Sequence, residues 1–259
     1  MKIPMFQIDA FTNKRFHGNP AAVCVLEEWL SDEIMQNIAA ENNLAETAFV
    51  VARNNVFDLR WFTPAIEIDL CGHATLATAY AYKEHLAYSP DEISFRTKSG
   101  LLKVLFAGDM MSMIFPRRPG EICPAPDNLK EALGAQPREV LKARDLMVVL
   151  TNEDEVRHLK PNIDKIKSYD CIGVIVTAKG NEVDFVSRFF APKVGIAEDP
   201  VTGSSHSTLI PYWSQKLRKS KMTARQLSAR GGELFCEDLE DKVKISGRAV
   251  TYFVGEIEV

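Results

Sequence analysis

Arg60-Trp61-Phe62-Thr63-Pro64 and Arg188-Phe189-Phe190-Ala191-Pro192 carry one pattern at an offset of 128 residues. Each stretch follows an aspartate in a strand-like run, Asp58 in the first and Asp184 in the second. Beyond each proline come an acidic, apolar loop, a glycine and a helix-like segment. In the first copy this reads Asp69-Leu70-Cys71-Gly72-His73-Ala74-Thr75-Leu76. In the second it reads Asp199-Pro200-Val201-Thr202-Gly203-Ser204-Ser205-His206-Ser207-Thr208-Leu209. The glycines are offset by 131, so the second loop holds a three-residue insertion. Chance supplies one Arg-x-Phe-x-Pro echo readily. It supplies the same strand, proline, loop, glycine, helix order twice much less readily, which points to one α/β half copied twice.

Working outward, Met5–Ala10 reads as a strand, followed by a polar loop over Phe11–Asn19 and a second strand over Ala21–Leu26. Ser31 offers an N-cap, with Asp32 and Glu33 in the first turn, Ile34 and Ile38 on one face, and Asn42-Asn43 as the stop. Leu44–Val51 returns to strand, and Val56–Phe62 makes another before Thr63-Pro64 breaks it. The second half repeats the rhythm. Pro126–Leu133 with Gly134 reads as a short helix, Leu146–Leu150 as a strand and Pro161–Tyr169 as a helix. Ile172–Thr177 and Glu182–Phe190 form two strands joined at Lys179-Gly180-Asn181. Phe115–Pro126 is the richest cluster of breakers and the candidate linker. The expected lobes are therefore 1–115 and 116–259, with a final strand at about 250–259 able to pack back on the first lobe.

The bulk properties narrow the class. The 259 residues are 46% hydrophobic and 25% charged, enough apolar material for two compact lobes. A net charge of −4 without a basic stripe excludes a nucleic-acid partner from the expectation. The densest cations, Lys216, Arg218, Lys219 and Lys221, sit near a helix end, where they suit the macrodipole. Five cysteines, far apart and without a C-x-x-C pair, argue against a disulfide framework or a zinc ribbon. Asp9 interrupts the opening apolar stretch, and no run reaches the roughly 18 apolar residues of a membrane span. A cytoplasmic protein with no membrane partner is the expectation.

The doubled glycine–helix start is where a site is expected. A helix N-terminus presents unpaired N–H groups and partial positive charge, and a glycine before it lets a ligand approach the backbone. Two such starts related by a pseudo-twofold, at Gly72–His73 and Gly203–Ser204, would clamp one small anionic substrate in a crevice between the halves. Read singly, each glycine is equally an ordinary turn residue. Glu46 lies in a strand whose other residues are apolar or small, so its carboxylate is either at a strand end facing solvent or buried in a pocket. Burial would raise its proton affinity, as a general acid/base requires. His73 falls in the first turn of a helix, where the dipole disfavours the imidazolium, so a neutral ring is expected there. A surface cap is the competing reading. Asp199 is either a second acid or a turn former before Pro200. His206 is core-facing or surface, and His17, His85 and His158 read as surface.

At this point the residues match a family. Asn43–Val50 (NLAETAFV), Phe62–Thr75 (FTPAIEIDLCGHAT) and Glu198–Ser205 (EDPVTGSS) resemble the phenazine-biosynthesis PhzF-like proteins, relatives of diaminopimelate epimerase. The opening Asp9–Val23 (DAFTNKRFHGNPAAV) also looks like that family's start, so the resemblance spans nearly the whole chain. It implies an α+β fold of two pseudo-symmetric lobes of diaminopimelate epimerase-like fold, each a mostly antiparallel barrel-like sheet around a central helix. It implies Glu46 as the proton carrier, His73 and Asp199 as further catalytic groups, and Gly72, His73, Gly203 and Ser204 as substrate-binding. It also implies a cofactor-independent, metal-free isomerase acting on a small carboxylate-bearing substrate, as a homodimer.

One departure stands out. The related amino-acid epimerases use a thiol from each half, but here Cys71 is matched by Thr202. A neutral hydroxyl is too weak an acid for that role, so a two-cysteine racemase is disfavoured and Cys71 reads as a small packing residue. Two other classes stay in view. One is a non-catalytic small-molecule-binding or interaction protein on the same fold. The other is a metal-dependent hydrolase using His73, His206, Asp69 and Asp199, which no compact ligand spacing supports.

Overall fold

The computed structural model describes residues 1–53 and 56–259. The chain begins with β1 (Lys2–Ala10), β2 (Asn19–Leu26), α1 (Asp32–Asn42), β3 (Glu46–Arg53), β4 (Val56–Phe62) and β5 (Glu67–Ile68). Next come α2 (Gly72–His85), β6 (Glu92–Thr97), β7 (Gly100–Ala107) and β8 (Met110–Pro116). They are followed by β9 (Glu121–Ile122), α3 (Leu129–Leu133), β10 (Glu139–Lys142), β11 (Leu146–Val149), α4 (Glu153–Arg157) and α5 (Ile163–Lys167). The remainder is β12 (Val174–Lys179), β13 (Phe185–Ala191), β14 (Ile196–Asp199), α6 (His206–Leu217), β15 (Lys221–Gln226), β16 (Gly232–Asp238), β17 (Lys242–Gly247) and β18 (Ala249–Glu258). Two compact units result: Met1–Ile114 with Ser246–Val259, and Phe115–Ile245. The chain thus rejoins the first unit at Ser246, a few residues before the expected strand at 250.

Within each unit the strands pair in one order. In the first, β1 is antiparallel to β2, β2 parallel to β3, β3 antiparallel to β4, β4 parallel to β6, and β6 antiparallel to β7. In the second, β10 is antiparallel to β11, β11 parallel to β12, β12 antiparallel to β13, β13 parallel to β15, and β15 antiparallel to β16. A short strand lies antiparallel on each copy of the repeated motif, β5 on β4 and β14 on β13. Each helix, α2 or α6, follows that short strand.

Helix α2 has no polar face. From His73 to Tyr82 nearly every side chain is buried, and most are alanine, threonine or leucine. Small side chains let β1, β2, β3, β7 and β18 pack against the helix. Thr75 and Thr78 spend their hydroxyls on the carbonyls of Cys71 and Ala74, so neither threonine needs a partner outside the helix. Helix α6 is interrupted by Pro211, which cannot donate to the carbonyl four residues back. That carbonyl, on Ser207, accepts the N–H of Arg118 at 2.9 Å instead. The breaker-rich stretch after Phe115 is therefore docked onto α6 within the second unit.

The caps of α1 follow the sequence: Ser31 accepts from the Ile34 N–H, and Asn43 closes the helix in the left-handed region. The expected helices over Pro126–Leu133 and Pro161–Tyr169 shrink to five residues each. In the second, Asn162 caps the Lys165 N–H, which sets the start two residues after Pro161. The second central helix also begins later than expected. Gly203, Ser204 and Ser205 form a turn whose carbonyls accept from His206, Ser207 and Thr208, and α6 starts only at His206.

Candidate functional site

The repeated arginine that reveals the two halves is part of their frame. Arg60 donates Nε and Nη2 to the Glu67 carboxylate on β5 at 2.7 and 2.8 Å, and its guanidinium lies 5.2 Å from the Phe62 ring centre. Arg188 donates the same two atoms to Glu198 on β14 at 2.7 and 2.8 Å, and lies 5.1 Å from Phe190. Each fork ties the hairpin that delivers the following loop and helix. Neither is a reactive group.

In the first unit that frame assembles three titratable side chains. Glu46 is the first residue of β3, whose register sets it opposite Ala21 on β2. It is both at a strand end and buried, at 5% exposure. His73, at 4%, is the second residue of α2. Its Nε2 lies 3.0 Å from Glu46 Oε2. Among the described residues neither atom has a hydrogen-bond partner, so the two are close without being aligned. The other ring nitrogen, Nδ1, has Asn19 Nδ2 at 3.2 Å and Cys71 Sγ at 3.5 Å. Asn19 is positioned by the opening loop. Asp9 accepts the Phe16 N–H at 2.8 Å, and Gly18 adopts a φ of +66° where an added Cβ would lie 2.1 Å from the Ala10 carbonyl.

The charge of His73 departs from the sequence-based expectation. Burial opposes the imidazolium, but the neighbouring Cys71 and Glu46 outweigh it and push His73 well above the ordinary imidazole value. The helix dipole alone predicts a neutral ring; two acids within 3.5 Å reverse the sign. Cys71 is pushed up by burial and by Glu46, which favours the thiol. The three groups also make up a set of potential metal donors. The imidazole turns a different nitrogen to each neighbour, so the three also form a chain of proton-bearing groups.

The second unit builds a different arrangement after its glycine. Thr202 donates Oγ1 to Asp199 Oδ2 at 2.5 Å. Gln226, at the end of β15, accepts the Thr202 N–H at 2.9 Å and donates to the Asp199 carbonyl at 2.8 Å. Ser205 Oγ and His206 Nδ1 both donate to the Thr202 carbonyl, at 2.8 Å each. Ser204 Oγ accepts from Arg144 Nη2 at 3.1 Å, and Arg144 is forked on the buried Asp145. His206 is wholly buried beside Phe185, and burial lowers its proton affinity to about 4. It is a neutral core histidine.

Residues 8–255 match the family described as phenazine biosynthesis-like protein, PhzC-PhzF. The chain belongs to this family. An uncharacterized isomerase of Pseudomonas aeruginosa is 49% identical over 259 residues, covering 100% of both chains. The crystal structure of a PhzF-family phenazine biosynthesis protein from Enterococcus faecalis superposes with a TM-score of 0.98 at 46% identity, covering all of both chains. A hydroxyproline epimerase from Agrobacterium vitis shares the fold alone, with a TM-score of 0.62 at 8% identity over 99% of this chain and 92% of that one. The architecture of this PhzF-family chain is thus the α+β, two-lobed, diaminopimelate epimerase-like fold.

Several polar residues around these groups escape a motif-based reading. Asn19 is hidden in a loop sequence that looks like a turn. Gln226 comes from a strand end and Arg144 from the bend between β10 and β11, both far from the motif they serve, and no spacing rule connects them. Cys71 is buried as expected, but it contacts His73 and does more than fill space. His85 is not a plain surface residue: it stacks on Phe6 at 5.2 Å and its Nε2 pairs with Thr251 Oγ1 at 2.7 Å. Among the described residues no helix is long and apolar enough to cross a membrane.

Proposed function

We propose that this PhzF-family chain is an isomerase that moves a carbon-bound proton on a small carboxylate-bearing substrate, using Glu46 to take and return the proton. The observation that carries this reading is the buried Glu46–His73 contact. Glu46 Oε2 and His73 Nε2 lie 3.0 Å apart, and neither is engaged in a hydrogen bond among the described residues. A buried carboxylate oxygen not tied down by donors keeps its lone pairs open to a substrate proton, and the adjacent imidazole holds its place beside it. The isomerase names of the relatives agree in reaction class.

In this reading the backbone N–H groups at Gly72 and His73 bind the substrate carboxylate, aided by the positive end of α2. Removal of the proton builds negative charge on the substrate, and donors already in place lower the cost of that charge. His73 holds the proton pair in register. No step calls on a metal or an organic cofactor.

The test is solvent-deuterium exchange into a panel of small cyclic and amino-acid-like carboxylates. The protein incorporates deuterium at one carbon of its substrate, and Glu46→Gln lowers the rate by about 10²- to 10⁴-fold. Equal exchange by both proteins overturns the assignment. A ligand that binds with no exchange in either protein points to the non-catalytic binding role.

A further inference from the structure

The five thiols of this chain are all free, but their surroundings differ. Cys24 and Cys236 are buried with burial as the chief influence on them, which pushes both up. Cys71 alone lies next to a functional imidazole. It is the N-cap residue of a 14-residue helix, yet its side chain makes no capping bond to that helix. The sulfur instead stands 3.5 Å from His73 Nδ1, on the edge of the ring opposite Glu46. Two buried polar atoms on the other side, Glu46 Oε2 and His73 Nε2, are without hydrogen bonds among the described residues.

An imidazole in a closed site can rotate or change tautomer unless both nitrogens are specified. Here the Nδ1 edge has two neighbours of different chemistry. Asn19 is neutral and can donate from its amide nitrogen or accept on its oxygen. Cys71 can donate S–H, accept N–H on sulfur, or carry charge. Resting on the Glu46 assignment above, we propose that Cys71 is a positioning residue whose sulfur holds the Nδ1 edge of His73, so that Nε2 and its proton face Glu46. Through that contact it strengthens the hold of His73 on its second proton.

The groups that act on His73 are few. Glu46 comes from β3 and Cys71 from the start of α2, with Asn19 from β2 neutral. On the other elements packed against α2, Asp9 of β1 bonds to the Phe16 N–H, Lys103 of β7 pairs with Glu92, and Glu256 of β18 pairs with Lys2. Arg53 of β3 and Glu258 of β18 are exposed. A change at Cys71 should therefore reach His73 directly and not through a rearranged field.

The experiment is long-range ¹H–¹⁵N NMR of histidine-labelled full-length protein across pH, with His73 assigned by the signal lost in His73→Gln. In the wild type, both His73 nitrogens stay protonated well above the ordinary imidazole range. Cys71→Ala weakens proton affinity about tenfold, a fall of about one pH unit, and lets the neutral tautomers mix. Cys71→Ser, which puts a donor–acceptor oxygen in the same place, restores the midpoint to within about threefold. Should the alanine variant not fold, Cys71→Val fills the space without a polar atom and gives the same reading. An Ala or Val curve that overlays the wild type overturns the proposal. So does a Ser curve that matches Ala, since it reduces Cys71 to packing. The measurement needs no substrate, so its failure leaves the Glu46 reading standing, and failure of deuterium exchange leaves this titration intact.

Discussion

His73 and His206 lie near the starts of the two buried helices, and their environments push them in opposite directions. His73 has an acid against each ring nitrogen and is driven toward the charged form. His206 gives Nδ1–H to a backbone carbonyl, has the Phe185 ring beside it, and is driven toward the neutral form. The frames around them are alike in strand pairing and in the arginine–glutamate fork. What differs is how the polar groups are used. In the second unit Asp199, Thr202, Gln226 and Ser205 satisfy one another, so the loop is a fixed piece of structure. In the first, Glu46 and His73 face each other with atoms left unbonded among the described residues, at a cost in stability. A repeated strand order can thus hold one turn whose polar groups satisfy one another and one whose polar groups do not.

The largest effect that separates the copies is on turnover. Glu46→Gln should cost about 10²- to 10⁴-fold in deuterium exchange, whereas Thr202→Val should cost less than about tenfold. Comparable losses in the two would erase the division between reactive and structural copies.

Next in size is an acid-side stability effect confined to His206. Its proton affinity is about 4 in the folded chain against an ordinary value of 6.5. The neutral form is therefore favoured on folding. Its contribution is complete above pH 6.5 and is lost as pH falls from there toward 4, amounting to about 3 kcal/mol. Urea unfolding of His206→Gln between pH 7 and pH 4 should show a flatter decline than wild type, and parallel curves would remove His206 as the cause. His73 has the reverse sign. Its raised value stabilises the fold below pH 6.5, and that contribution fades as pH rises through the raised value.

Smaller still are the two forks. Arg60→Met and Arg188→Met should each destabilise by about 1–3 kcal/mol, since each leaves a partly buried carboxylate without its bidentate partner. Denaturant midpoints check this. Similar losses at the two sites are expected from their matching distances, and a loss at only one would break the correspondence between the halves. The smallest change is in the second loop, where Thr202→Val should lower stability by about 1 kcal/mol by taking a donor from Asp199.

Much of the frame was legible beforehand because it depends on local chemistry. Ser31 and Asn43 end α1 by hydrogen bonds within their own turns, and Val56–Phe62 ends where Pro64 removes a donor. The site was legible in part. Glu46 and His73 could be named, but whether Glu46 faced solvent or a pocket depended on β2 lying alongside β3. The charge of His73 was misjudged because the dipole is visible in one dimension and its flanking acids are not. Gln226 and Asn19 had no signal, since an amide gains a role only from what the fold sets beside it.

Sequence alone thus determined the repeated strand–loop–helix order and the candidate groups at its turns, because caps, breakers and repeats act over a few residues. The tertiary structure decided how those groups behave. Proton affinity and hydrogen-bond satisfaction depend on distances of about 3 Å between residues remote in the chain, as with Asn19, Glu46 and His73. Burial then multiplies the effect of each such contact.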